Sequence, residues 1–194
     1  MQGADRFRSF TSGAVEALAD ELLAVRCQLG EPAAIDALVA RWHAPLWRYL
    51  RWLLGDDEAA SEACQEVWIR VLRGIGRLRD AARVRAWLFG IARRTVMDRL
   101  RGRYAQPRES DVDPDALAAA VLDPDLETDS ELLHEELERL PVIERDALVL
   151  FYLRELSLQE LADVLAVPVG TVKSRLFRAR RMLRARLHDR GMTS

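Results

Sequence analysis

Two cysteines in 194 residues, Cys27 and Cys64, are too few for a disulfide framework. Neither belongs to a CxxC pair. The three histidines, His43, His134 and His188, are far apart in the sequence, so no structural zinc site is expected. Long apolar runs are missing too: none approaches the ~20 residues needed to cross a bilayer. The opening residues, MQGADRFRSF, hold no hydrophobic signal core, and the expectation is a chain made and kept in the cytoplasm. Alternating β-branched runs are absent, which speaks against strands. There is no Ser/His/Asp arrangement, no phosphate-cradling glycine loop and no metal cluster. The chain is therefore not expected to be an enzyme, and no cofactor is implied.

What is present is 49% hydrophobic and 31% charged residues, too apolar for a disordered chain. The formal net charge of −2 conceals segregation. Residues 70–105 hold eleven Arg against two acids, Asp80 and Asp98. Residues 106–130 hold eight acids against one Arg, Arg108. Residues 169–190 hold seven Arg and Lys173 against Asp189 alone. Two basic blocks separated by an acidic one point to anionic partners for the blocks.

Ala, Leu, Arg and Glu dominate, and the periodicity predicts helices over 14–29, 32–53, 57–76, 83–103, 131–140, 142–154, 158–165 and 169–188. Pro32 sits where a first-turn proline is tolerated, and Gly55, Asp56 and Asp57 stop one helix and cap the next. Residues 106–130 contain Pro107, Pro114 and Pro124 among scattered acids, and little there can hold a core beyond a short helix at Ala116–Leu122. The expected fold is all-α: two small helical domains, 19–105 and 131–194, joined by a flexible acidic linker, 106–130, after an N-terminal extension, 1–18. Fully extended, about 25 residues reach roughly 80 Å.

The sharpest pattern lies at 157–188. Ser157 followed by Glu160 is a capping box, and Leu158, Leu161, Ala162 and Leu165 form the inner stripe of the helix it starts. Ala166 and Val167 make a tight turn, and Pro168 opens the next helix. In that helix Val172, Leu176, Ala179 and Leu183 share one face, and Ser174, Phe177, Arg178 and Arg181 the opposite one, flanked by Lys173 and Arg175. Two short helices, the second basic on its outer face, describe a helix-turn-helix whose second helix enters the major groove. Arg and Lys there donate to guanine or phosphate, and Phe177 packs on a thymine methyl. A merely solvated Arg-rich helix does not account for an outward Phe among arginines. For Arg184, Arg186 and Arg190, phosphate attraction or solubility suffices.

The helix predicted at 57–76 has two faces. Ala60, Cys64, Val67, Trp68, Val71 and Ile75 form a core side, with Cys64 an inert buried thiol. Glu62, Gln65, Glu66 and Ile69 lie opposite, which suits a protein-docking surface; a solvated acidic face with one stray Ile fits equally well. Along 83–104, arginines interleave with Trp87, Phe89 and Tyr104. That pattern suits single-stranded nucleic acid, where aromatics stack on bases and Arg holds phosphates. Core packing is the simpler account of each aromatic taken singly. Val84, Trp87, Leu88, Ile91 and Thr95 share a face, and Asp98 at its edge is expected to pair with an arginine.

From about Ala19 to Leu187 the chain resembles the extracytoplasmic-function sigma factors of bacterial RNA polymerase. Gly30-Glu31-Pro32-Ala33-Ala34-Ile35 is similar to the family's Gly-Asp-x-x-Ala-Phe. Glu62-Ala63-Cys64-Gln65-Glu66-Val67-Trp68 is similar to its Asp-x-x-Gln-Glu-Val-Phe. Ala86-Trp87-Leu88-Phe89-Gly90-Ile91-Ala92-Arg93 with Asp98 follows its Trp-Leu-x-x-Ile-Ala-Arg signature. Leu140-Pro141 and the run from Pro168 to Arg180 match its end domain. Glu62 replaces the commoner Asp, Ile35 an aromatic, and Arg94 the usual Asn.

The resemblance implies a dissociable initiation factor that directs core RNA polymerase to promoters. The first domain, sigma-2-like, would dock on the polymerase clamp through Glu62, Gln65, Glu66 and Ile69. It would open the -10 element and hold the single strand with Arg77, Arg83, Arg85, Trp87, Arg93, Arg94, Arg101 and Arg103, a flipped base entering a pocket near 77–85. The second, sigma-4-like, would read the -35 duplex through Thr171, Lys173, Ser174, Arg175, Phe177, Arg178 and Arg181. The linker would span the 50–60 Å between the elements, about 17 base steps of 3.4 Å, and thread the polymerase's channels. An anti-sigma factor is the further partner implied. No membrane insertion and no small-molecule substrate are expected. The competing reading is a stand-alone helix-turn-helix regulator binding operator DNA; a third is a pure protein-interaction bundle.

Overall fold

The computed structural model describes the backbone of residues 3–105, 133 and 135–190, and the side chains of residues 15–101, 133 and 135–190. The linker, Arg103 and Tyr104 as side chains, and part of the helix expected at 131–140 lie outside the described residues. Among the described residues every regular element is helical, and none is long and apolar enough to cross a membrane.

The first domain is built from α1 (Gly3–Gln28), α2 (Pro32–Leu54), α3 (Asp57–Gly74), two 3-10 turns (Ile75–Arg77 and Ala81–Arg83) and α4 (Val84–Ala105). Local chemistry sets the boundaries. Pro32 occupies the first turn of α2, where its missing N–H leaves no extra orphan. Gly55 closes α2 in the left-handed conformation, φ 73°, at little cost without a Cβ. The Asp56 carboxylate then accepts the Ala59 N–H at 2.7 Å and caps α3. Gly74, the last residue of α3, packs against Trp87: a Cβ there would stand 3.1 Å from the ring. The predicted helix 57–76 stops two residues early and tightens into a 3-10 turn.

Leu38, Leu46, Tyr49, Leu50, Val67, Val71, Leu88 and Phe89 are fully buried in this bundle. Phe89 is seated edge-on between Trp42 and Tyr49, with ring centroids 6.0 and 5.3 Å away. It belongs to the core and is no base-stacking platform. Cys27 and Cys64 are buried, and burial pushes both thiols above their ordinary range, as expected for inert cysteines. α1 runs unbroken from Gly3, across the expected boundary at residue 18.

In the second domain α5 (Val142–Leu148) widens into a π-turn (Val149–Leu153), where one α-helix was expected over 142–154. The chain reverses at Glu155, φ 52°. α6 (Leu158–Leu165) and α7 (Val169–Asp189) follow. Leu150, Leu156, Leu161, Val172, Leu176 and Ala179 form this domain's core. The two cores meet: α4 packs on α6, and Asp146 of α5 reaches into the first domain.

Candidate nucleic-acid interface

The helix-turn-helix forms as its sequence dictates. Glu160 N–H donates to Ser157 Oγ at 3.2 Å while the Glu160 carboxylate accepts the Ser157 N–H at 2.8 Å, a complete capping box. Ala166 turns the chain at φ 53°, and the Pro168 carbonyl accepts the Thr171 and Val172 N–H groups at 2.9 and 3.1 Å to start α7. With Val172, Leu176 and Ala179 buried, the opposite face must point outward. Lys173, Ser174, Phe177 and Arg178 line one open recess there, and Arg181 is exposed beyond it. Phe177 is 66% exposed, although a Phe inside a core is worth about 1.5–3 kcal/mol. Ser174 Oγ donates back to the Gly170 carbonyl at 2.9 Å, and Glu144 stands 3.5 Å from the Arg178 guanidinium. Thr171 and Arg175 are half-buried. Arg175 is near enough to the buried Asp146 for its charge to oppose the upward shift of that carboxyl.

On α3 the predicted core side is buried. Glu62, Gln65 and Ile69 are exposed and Glu66 is half-buried. Leu72, missed in the sequence reading, is exposed beside Ile69 and extends the apolar part of the stripe; its spacing of three residues was the available signal. Asp98 pairs with arginines as its position predicts, while the wider network that ties Glu62 and Glu66 to Arg70 and Arg99 escaped that reading. Glu66 accepts from Arg70 at 2.5 Å and Arg99 at 3.3 Å, Glu62 from Arg99 at 3.2 Å, and Asp98 pairs with Arg70 and Arg101 at 3.3 and 2.7 Å. The acids of the stripe are thereby held in position from α4.

A pocket of about 290 Å³ opens between the 3-10 turns and α4, lined by Leu78, Asp80, Arg83, Trp87 and Arg94 of the first domain and Asp163 of the second. Arg83 pairs with Asp163 at 3.2 Å and with Asp80 at 3.5 Å. Trp87 is half-buried at the pocket wall, and Arg77, Arg94 and Arg101 are exposed.

Arg85 and Arg93 are turned away from solvent, into the contact between the domains. Arg93 donates to Asp146 at 2.8 Å, and the Tyr49 hydroxyl donates to the same carboxylate at 2.8 Å. Asp146 has no solvent exposure. Burial raises its pKa from the ordinary carboxylate value, against the opposing pull of Arg93 and the Tyr49 hydrogen bond. The Tyr49 hydroxyl, also buried and next to that acid, is pushed well above its own ordinary value. Arg85 lies over the Trp42 ring, 5.9 Å from its centroid, and donates to the Arg154 carbonyl at 2.8 Å. Arg154 is lowered to about 10 by desolvation and the neighbouring Arg48. The sequence predicts Arg85 and Arg93 as strand-holding residues; in this arrangement a buried carboxylate and a carbonyl of the second domain occupy them.

The family model for Sigma-70 region 2 matches residues 38–105, and that for Sigma-70 region 4 matches residues 130–183. The RNA polymerase sigma-H factor of Pseudomonas aeruginosa is 31% identical over 83% of this chain and 90% of its own. The ECF RNA polymerase sigma factor SigM of Mycobacterium tuberculosis is 37% identical over 84% of this chain and 81% of its own. Among solved structures, the RpoE–NepR complex of Bartonella quintana matches with a TM-score of 0.66 at 21% identity, covering 79% of this chain and 96% of that one. That likeness bears on the fold. With both region matches in order on one chain, and relatives above 30% identity along most of its length, the chain belongs to the extracytoplasmic-function family of RNA polymerase sigma factors.

Proposed function

We propose that this sigma factor reads its -35 element with Lys173, Ser174, Phe177, Arg178 and Arg181, docks on core polymerase through Glu62, Gln65, Glu66, Ile69 and Leu72, and receives an unpaired -10 base in the pocket at Trp87. The observation that carries the reading is the exposed Phe177 set among Lys173, Ser174 and Arg178 on a helix anchored by a capped turn. Arg77, Arg94, Arg101 and Arg103 track the opened strand. Thr171 lies at the N-terminal end of the recognition helix, where contact with phosphate suits it.

Binding does the work and no bond in the protein changes. Contacts to the extruded base and strand offset the few kcal/mol that unstacking costs. In the closed arrangement Arg83, Arg85 and Arg93 are engaged by the second domain, so promoter capture requires the domains to part. Opening frees those three cations for phosphate and uncovers the pocket wall at Asp163. The chain acts without a cofactor and without catalysis of its own. An anti-sigma protein is its expected regulator; the similar RpoE of Bartonella quintana is solved in complex with the anti-sigma factor NepR.

The test is transcription by purified core polymerase, with and without the protein, on upstream DNA from its own genome. Protein-dependent transcripts whose start sites share two elements support the reading. Phe177→Ala is expected to cut them at least tenfold while leaving co-elution with core unchanged. No transcripts and no co-elution would overturn it in favour of an operator-binding regulator.

A further inference from the structure

α1 carries a second apolar face that no element covers among the described residues. Its inner face, Asp20, Ala24 and Cys27, is buried against the rest of the first domain, and Asp20 is paired with Arg41. On the other side Val15, Leu18, Leu22, Val25 and Leu29 are 68, 66, 59, 38 and 74% exposed. Their spacing alternates three and four residues without a break. That is the seam of a coiled coil, with Val15, Leu22 and Leu29 at one core position and Leu18 and Val25 at the other. Leu29 keeps the helical path, donating its N–H to the Val25 carbonyl at 3.0 Å. Scattered exposed leucines need no explanation, but five in register along one helix mark an interaction surface.

We propose that this seam pairs with the same seam on a second copy of the chain, as a parallel two-helix coiled coil. The charges choose the occupant and its direction. Glu21 and Arg26 flank the seam on opposite sides, five residues apart, at the two positions that face each other across a parallel pair. Glu21 of one copy then meets Arg26 of the other, twice by symmetry. An antiparallel pair sets like flanking positions against each other, so neither of these Glu21–Arg26 bridges could form. Arg26 also binds Glu31 at 2.8 Å, which holds its guanidinium near the seam while other donors stay open. The seam lies directly opposite the buried face, so the two domain bodies fall on the far sides of the helix pair and do not collide. No residue assigned to DNA or polymerase takes part, so the inference stands independently of the proposed function.

The test is sedimentation equilibrium of the full chain across a concentration series. Wild type is expected to move towards twice the monomer mass as concentration rises. Leu22→Lys is expected to weaken association at least tenfold with an unchanged circular dichroism spectrum, since the side chain replaced is exposed. Glu21→Arg and Arg26→Glu singly are expected to weaken it, and the double exchange to restore it. A wild type that stays monomeric at every concentration overturns the proposal. So does a Leu22→Lys chain that is still dimeric, or a double exchange without rescue. If the monomeric wild type instead binds core polymerase and Leu22→Lys does not, the seam serves polymerase and self-pairing is refuted.

Discussion

Asp146 has no solvent contact, and both side chains that bind it, Tyr49 and Arg93, come from the other domain. Truncating one member of a buried polar cluster strands the rest, at a cost of about 3–5 kcal/mol. Asp146→Ala is therefore expected to part the domains, whereas Asp146→Asn, which still accepts from Tyr49, parts them less. The distance between dyes on α2 and α7 measures both. The pH sign follows from the direction of the shift. Because burial raises the folded pKa, the contribution of Asp146 to closure is fully present below its unfolded value, about 3.9. It is lost as pH rises through the raised folded value. Acidification from neutral should shorten the dye distance, and Asp146→Asn should flatten that response. None of this was legible in the sequence, where Asp146 is one acid of Glu144-Arg145-Asp146, with nothing local to say that its partners lie 97 and 53 residues away.

At the scale of the element, local signals were read well because their causes are local. The Ser157–Glu160 box, the Gly55 stop and the Asp56 cap each join groups within four residues. Ser157→Ala should cost about 1 kcal/mol of stability in the second domain, seen as a lower denaturation midpoint with an unchanged slope. The π-turn after Leu148 carries no such signature, because its apolar run satisfies an α-helix equally well. α4 shows the limit in another way. Its apolar residues wrap most of its girth, so periodicity could not tell Phe89, wholly buried, from Trp87, half-buried at a pocket wall. α1 was read only as a helix over 14–29, and its exposed seam went unremarked, since an apolar stripe by itself does not say whether another element covers it.

In the whole molecule, closure and function pull apart. Two promoter elements 50–60 Å apart cannot both be engaged while Arg83 is paired with Asp163 and Arg93 with Asp146. Docking on core polymerase is therefore expected to lengthen the α2–α7 dye distance by tens of ångströms. An unchanged distance in an active complex would contradict the domain-opening step. Charge segregation was legible as anionic-partner chemistry, but its internal use was not. Five of the eleven arginines of residues 70–105, Arg70, Arg83, Arg93, Arg99 and Arg101, are tied to the molecule's own acids, in the α3–α4 network and across the domain contact.

The sequence by itself determined the helical class, the order of the segments and the outward face of the recognition helix, because backbone capping and side-chain periodicity act within one or two turns. Only the tertiary structure decided that Arg85 and Arg93 turn inward, that Asp146 bridges the domains, and that the α1 seam is left uncovered among the described residues. Those outcomes depend on which faces meet across 50 to 100 residues. Desolvating a charge forces it to find its partner wherever the fold has placed one.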